Sequence, residues 1–116
     1  MTNLSKVSVV KCTDYSKEDI RSAVNKTFSF FGGIENVIKK GSKVLLKPNF
    51  LKESSPRKCI VTHPAVIEAV AEAVLEAGAT PIIGDSPAFG SVVKVAKRIG
   101  LDKFAEKHGI DIIELD

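Results

Sequence analysis

Three short polar motifs hold the side chains in this sequence best suited to chemistry: Lys47-Pro48-Asn49, Thr62-His63-Pro64 and Gly84-Asp85-Ser86-Pro87. Lys47 offers a cation for a carboxylate or phosphate, and Asn49 beside it offers both a donor and an acceptor. His63 stands between Thr62 and a proline that opens a helix. A helix N-terminus disfavours the imidazolium, and a neutral imidazole serves as a general base or a metal ligand. The other role open to His63 is simply to cap that helix. Asp85 and Ser86 could orient a substrate hydroxyl or a metal. Gly84, Ser86, Gly90 and Ser91 precede a helix, where backbone N–H groups attract anions. The glycine spacing matches neither a Walker loop nor a dinucleotide fingerprint. An ordinary turn, with Asp85 and Ser86 bonded to their own backbone, is the equal alternative. On this reading His63, Lys47 and Asp85 are the catalytic candidates. Asn49, Thr62, Gly84, Ser86, Gly90, Ser91 and Asp14 are the ligand-binding candidates. His108, just before Gly109, reads as a helix C-terminal residue.

Such residues act together only if the fold brings them to one place. Lys6 to Cys12 is β-rich and partly alternating, which predicts a first strand ending near Asp14. Ser16, with Asp19 three residues on, predicts a helix start. Ile20, Val24, Phe28 and Phe31 then follow at helical spacing up to Gly32-Gly33. A short helix is expected from Ile34 to Lys40. Val44-Leu45-Leu46 suits a strand buried on both faces, ended by Pro48. Leu51 to Lys58 is an irregular polar loop. Pro64 opens a helix that Gly78 closes. Thr80 to Ile83 is a strand, Ser91 caps a helix through Ile99, Asp102 begins another, and Ile110 to Leu115 is a final strand. Strands alternating with helices imply parallel pairing and right-handed crossovers. The expected fold is therefore a three-layer α/β/α domain with a mostly parallel sheet of about four strands. In such folds ligands bind outside the carboxyl ends of the strands, and all three motifs should lie on that rim.

Composition narrows the classes. The 116 residues suffice for one domain, are 44% hydrophobic and 27% charged, and carry a net charge of +3. Basic residues are dispersed. The nearest cluster, Lys52 to Lys58, holds three basic residues and one acid, so nucleic-acid binding is not expected. No apolar run approaches the roughly 20 residues of a membrane span, and no membrane partner is expected. Cys12 and Cys59 match no metal-ligand spacing. No metal or other cofactor is expected within this segment, and a reducing cytoplasm is the expected location. The chain stops directly after a strand, which favours a single domain over 1–116 that is a fragment of a longer protein.

These residues also carry a resemblance. Val44 to Phe50 (Val-Leu-Leu-Lys-Pro-Asn-Phe), Thr62-His63-Pro64 with its alanine-rich helix to Gly78-Ala79, and Ile83-Gly84-Asp85-Ser86-Pro87 resemble, in order and spacing, the family catalogued as domain of unknown function 362. The resemblance runs roughly from the first strand to the last. Members are often labelled iron–sulfur cluster-binding proteins, because many carry a ferredoxin-type cysteine segment. This sequence has none, so the resemblance assigns any iron–sulfur cluster to a missing C-terminal region, or to a ferredoxin-type domain or partner. The resulting expectation is a ligand-binding, catalytically competent α/β domain of a redox-associated protein that takes a small anionic or phosphorylated ligand. Two alternatives stand beside it: a non-catalytic docking or scaffold module for an electron-transfer partner, with Phe89, Val92 and Val93 as its patch, and a nucleotide-binding regulatory domain.

Overall fold

A computed structural model describes residues 4–115. Helix α1 (Lys17–Ser29) starts where Ser16 accepts a hydrogen bond from the Asp19 N–H at 3.3 Å. Strand β1 (Lys43–Leu46) leads to the motif Lys47-Pro48-Asn49. Helix α2 (Pro64–Glu76) is capped by His63, and strand β2 (Thr80–Asp85) follows it. Helices α3 (Val92–Arg98) and α4 (Leu101–His108) then precede strand β3 (Asp111–Glu114). The three strands form a parallel sheet in the order β1-β2-β3, with Leu45 beside Ile82 and Gly84 beside Ile113.

The parallel α/β class is the expected one, with three strands where about four are expected. The missing strand is the first. Lys6 to Cys12 joins no ladder in the described chain, and β-rich composition does not make a strand without a partner to bond. The short helix expected from Ile34 to Lys40 is also reduced, to a single 3-10 turn at Ile34–Asn36.

The number of layers follows from the strand order. Both crossovers step the same way across the sheet, so right-handed connections set α2 and the α3–α4 pair on one face. There they enclose a core of Phe50, Val61, Ile67, Ile83, Val92 and Leu101, with Leu46 and Ile112 packed against it. Helix α1 packs on α2 rather than on the sheet, held by Ile20 and by Arg21, which donates to the Ala69 carbonyl and pairs with Glu76. The opposite sheet face carries Leu45 and Ile113, which are 47% and 39% exposed. Gly84 lies between them. A Cβ there would come within 2.9 Å of the Ile113 side chain and 3.2 Å of its carbonyl oxygen. Two layers thus stand where three are expected among the described residues. The core lies directly beneath the carboxyl ends of β1 and β2.

Candidate functional site

The three motifs form one hydrogen-bonded knot around Asp85. Residue 85 is the last of β2 and is buried. Its Oδ1 lies 2.8 Å from the Lys47 ammonium, and its Oδ2 accepts from the Phe50 N–H at 2.9 Å. Its backbone carbonyl accepts from the Leu115 N–H at 3.0 Å. Asp85 therefore ties the ends of all three strands together. Burial pushes its carboxyl pKa up, but the hydrogen bonds from Lys47, Phe50 and Ser86 and the Lys47 charge outweigh that and leave it below its ordinary value. The carboxylate stays ionised and keeps a cation beside it. The Lys47 side chain remains 61% exposed, so its ammonium is presented to solvent. An ammonium has three donors, of which Asp85 engages one.

The second motif joins the first through Asn49. The Thr62 hydroxyl accepts from the Asn49 N–H at 2.8 Å, the Thr62 N–H donates to the Asn49 carbonyl at 2.9 Å, and the Asn49 amide donates to the Ile60 carbonyl. With the antiparallel bridge Phe50–Val61, these bonds clamp the loop after β1 against the entry to α2. Beside the clamp, a cleft of about 260 Å³ is lined by Leu45, Lys47, Pro48, Thr62, Val66 and Val70 among others.

His63 belongs to the rim by sequence, but its ring is engaged elsewhere. Its Nδ1 accepts from the Ala65 N–H at 3.1 Å, capping α2, and the imidazole stacks on Tyr15 at 3.8 Å with planes 8° apart. With Nδ1 as acceptor, the neutral ring carries its proton on Nε2, which makes Nε2 a donor. Burial holds the His63 pKa below its ordinary value. The stability tied to that lowered pKa is fully present above roughly pH 6.5 and is lost as pH falls through the folded-state value. His63→Ala should therefore cost about 1 kcal/mol at pH 8, the usual worth of an N-cap. The cost should shrink at pH 5, whereas His63→Asn, which can still cap and does not titrate, should match the parent at pH 8 and be the more stable of the two at pH 5. Urea unfolding at the two pH values measures this.

The loop after β2, from Ser86 to Ser91, is hydrogen-bonded to other parts of the chain. The Ser86 hydroxyl donates to the Leu115 carbonyl, and the Ala88 N–H donates to the Leu51 carbonyl at 3.0 Å. Ser91 caps α3 by accepting from Lys94 N–H, and the Glu114 carboxylate accepts from Val92 N–H at 2.8 Å. The anion expected at that helix start is thus supplied by the chain itself. Gly90, exposed and at φ 80°, serves the turn. Asp14 accepts from the Ser16 N–H at 2.8 Å in the turn before α1, and that backbone bond lowers its pKa. It connects to the rim only through its neighbour Tyr15. Sequence reasoning missed Tyr15, Phe50 and Glu114. Phe50, a lone aromatic in a polar stretch, was the available signal.

Among the described residues there is no group of three or more His, Cys, Asp or Glu placed to hold a metal ion. Cys12 and Cys59 are exposed, free thiols, and a cluster conventionally needs about four thiolates, so the cysteines of this chain do not fit one.

Residues 44–116 match the family described as a domain of unknown function, DUF362. The chain belongs to this family. The match takes in all three motifs and begins at β1, so α1 and the segment before it lie outside it. Over 108 residues this DUF362 chain is 38% identical to the thylakoid-associated protein sll1697 of Synechocystis sp.. That alignment covers 93% of this chain and 34% of the relative, so the chain spans about a third of the relative's length. No solved structure matches it. No helix among the described residues is long and apolar enough to cross a membrane.

Proposed function

We propose that this DUF362 chain is the ligand-binding part of a redox-associated protein of the cytoplasm, and that it takes a small anionic or phosphorylated molecule at Lys47. One observation supports this above the others: an exposed ammonium is held in place by the buried carboxylate of Asp85 at the point where all three strands end. Fixed cations at the carboxyl rim of a parallel sheet are suited to anions. The cleft beside Lys47 would receive the ligand's less polar part. Asn49 and Thr62 support the rim rather than reach the ligand, and His63, through Nε2–H, is a donor. The iron–sulfur association enters as a ferredoxin-type domain or partner, since the two cysteines here do not suit a cluster.

The docking alternative draws support from Phe89 and Val93, 69% and 64% exposed, although Val92 is fully buried. The nucleotide reading is weakened by Glu114 and Ser91, which already occupy the start of α3. Calorimetric titration with phosphate, phosphorylated metabolites, simple carboxylates and nucleotides separates these. Saturable binding of phosphate or carboxylates that Lys47→Met weakens at least tenfold is the expected result. Heat from nucleotides alone, or from none of them, sinks the proposal.

A further inference from the structure

Two pieces of strand structure in this chain are unfinished. The first is Lys6 to Cys12, which reads Lys-Val-Ser-Val-Val-Lys-Cys, a strand-forming composition, yet joins no ladder. Leu4, Val7 and Val9 are 85%, 72% and 90% exposed, a concentration of bare apolar side chains in a short stretch that isolated surface residues do not account for. The second is the outer edge of β3, which pairs with β2 alone among the described strands. Asp111, Ile113 and Glu114 are exposed there. A free edge of this kind is a template for another strand.

We propose that Lys6 to Cys12 of one copy of this chain adds as an antiparallel strand to the free edge of β3 in a second copy, and that the exchange is reciprocal. One register satisfies the side chains on both faces. With Val9 opposite Ile113, Lys11 falls opposite Asp111, Val10 opposite Ile112, Ser8 opposite Glu114 and Val7 opposite Leu115. Val9 and Lys11 then share the open sheet face with Ile113 and Asp111, while Val10 joins Ile112 on the helix-covered face. Directly opposed apolar and opposite-charge pairs are what stabilise a ladder. A parallel strand with Val9 at Ile113 would instead set Val7 against Asp111 and Val10 against Glu114. The other sheet edge, β1, is bounded by Lys43 and Lys47 and would bring like charges against Lys6 and Lys11. Within one chain the segment leads into α1, and Val10 to Thr13 line a cleft against that helix. Helix α1 packs on α2, whereas β3 lies beyond β2 beside α3 and α4. A second copy therefore supplies the edge, and reciprocal exchange closes as a two-fold dimer with no open end.

Sedimentation equilibrium of the whole chain should show a concentration-dependent dimer. Lys11→Glu and Asp111→Lys should each raise the dimer dissociation constant roughly 2- to 30-fold, since each removes two cross-strand pairs per dimer. The double variant should return towards the parent. Both positions are exposed, and circular dichroism should show the fold unchanged. In a background with Cys12 and Cys59 replaced by Ser, Val9→Cys with Ile113→Cys should oxidise to a covalently linked dimer. A chain that stays monomeric, a disulfide formed only within one chain, or a dimer indifferent to the charge exchange would each overturn the proposal.

Discussion

Replacing Phe50 by Ala is expected to lower folding stability by about 3–5 kcal/mol, the range for a fully buried aromatic. Phe50 is wholly enclosed and belongs to the core that also holds Ile67, Ile83 and Val92. Its N–H is also the group that Asp85 Oδ2 accepts from. Loss of the ring opens a cavity directly under the rim and loosens the backbone that positions Lys47 and Asn49. A domain of this size has roughly 5–15 kcal/mol in hand, so the melting temperature should fall by more than about 10 °C. Phe50→Leu, which fills much of the same space, should cost less than half as much. Chemical denaturation of the three proteins checks this. A Phe50→Ala variant within 1 kcal/mol of the parent would mean that the ring is not packed as described.

The second large effect is at Asp85. Asp85→Ala leaves the Phe50 N–H without its acceptor, which alone costs about 1–3 kcal/mol, and removes the partner of Lys47. A total of about 2–4 kcal/mol is expected, kept below the range for a fully buried pair because the Lys47 ammonium is largely exposed. Asp85→Asn keeps an oxygen for Phe50 and loses only the charge, so it should cost less. The pH dependence has a definite sign. The folded-state pKa of Asp85 is lowered, so its contribution is complete above roughly pH 4 and is lost as pH falls through the folded value. The gap between the parent and Asp85→Asn should therefore close in acid. Equal stability of the two proteins at neutral pH would contradict the ion pair.

Much of this arrangement could be read in the sequence, and what could not has physical causes. Pro48, Pro64 and the apolar run Val44 to Leu46 located the end of β1 and the α2 start, because proline and burial act locally, whereas β2 runs past its expected end at Ile83 to include Gly84 and Asp85. The partnership of Lys47 with Asp85 joins residues far apart in sequence, and only the side-by-side pairing of β1 and β2 brings them together. The same holds for Glu114 at the start of α3: a carboxylate four residues into a final strand segment gives no local sign that it will cap a distant helix. Lys6 to Cys12 has the composition of a strand but forms none, because pairing depends on a neighbouring edge, which composition does not reveal. His63 was read both as a chemical group and as a cap. Its Nδ1 is used by the cap, and what its Nε2–H could do depends on a ligand.

The central claim is that Lys47, held by Asp85, is the anion-binding group of this chain. The most direct test is a proton–nitrogen correlation titration with inorganic phosphate, comparing the parent with a folded Lys47→Met variant. Saturable shifts should appear at the amides of Lys47, Asn49, Phe50 and Gly84 to Ser86 in the parent and disappear in the variant. Shifts that persist unchanged in Lys47→Met, or that centre on residues away from the ends of β1 and β2, would contradict it.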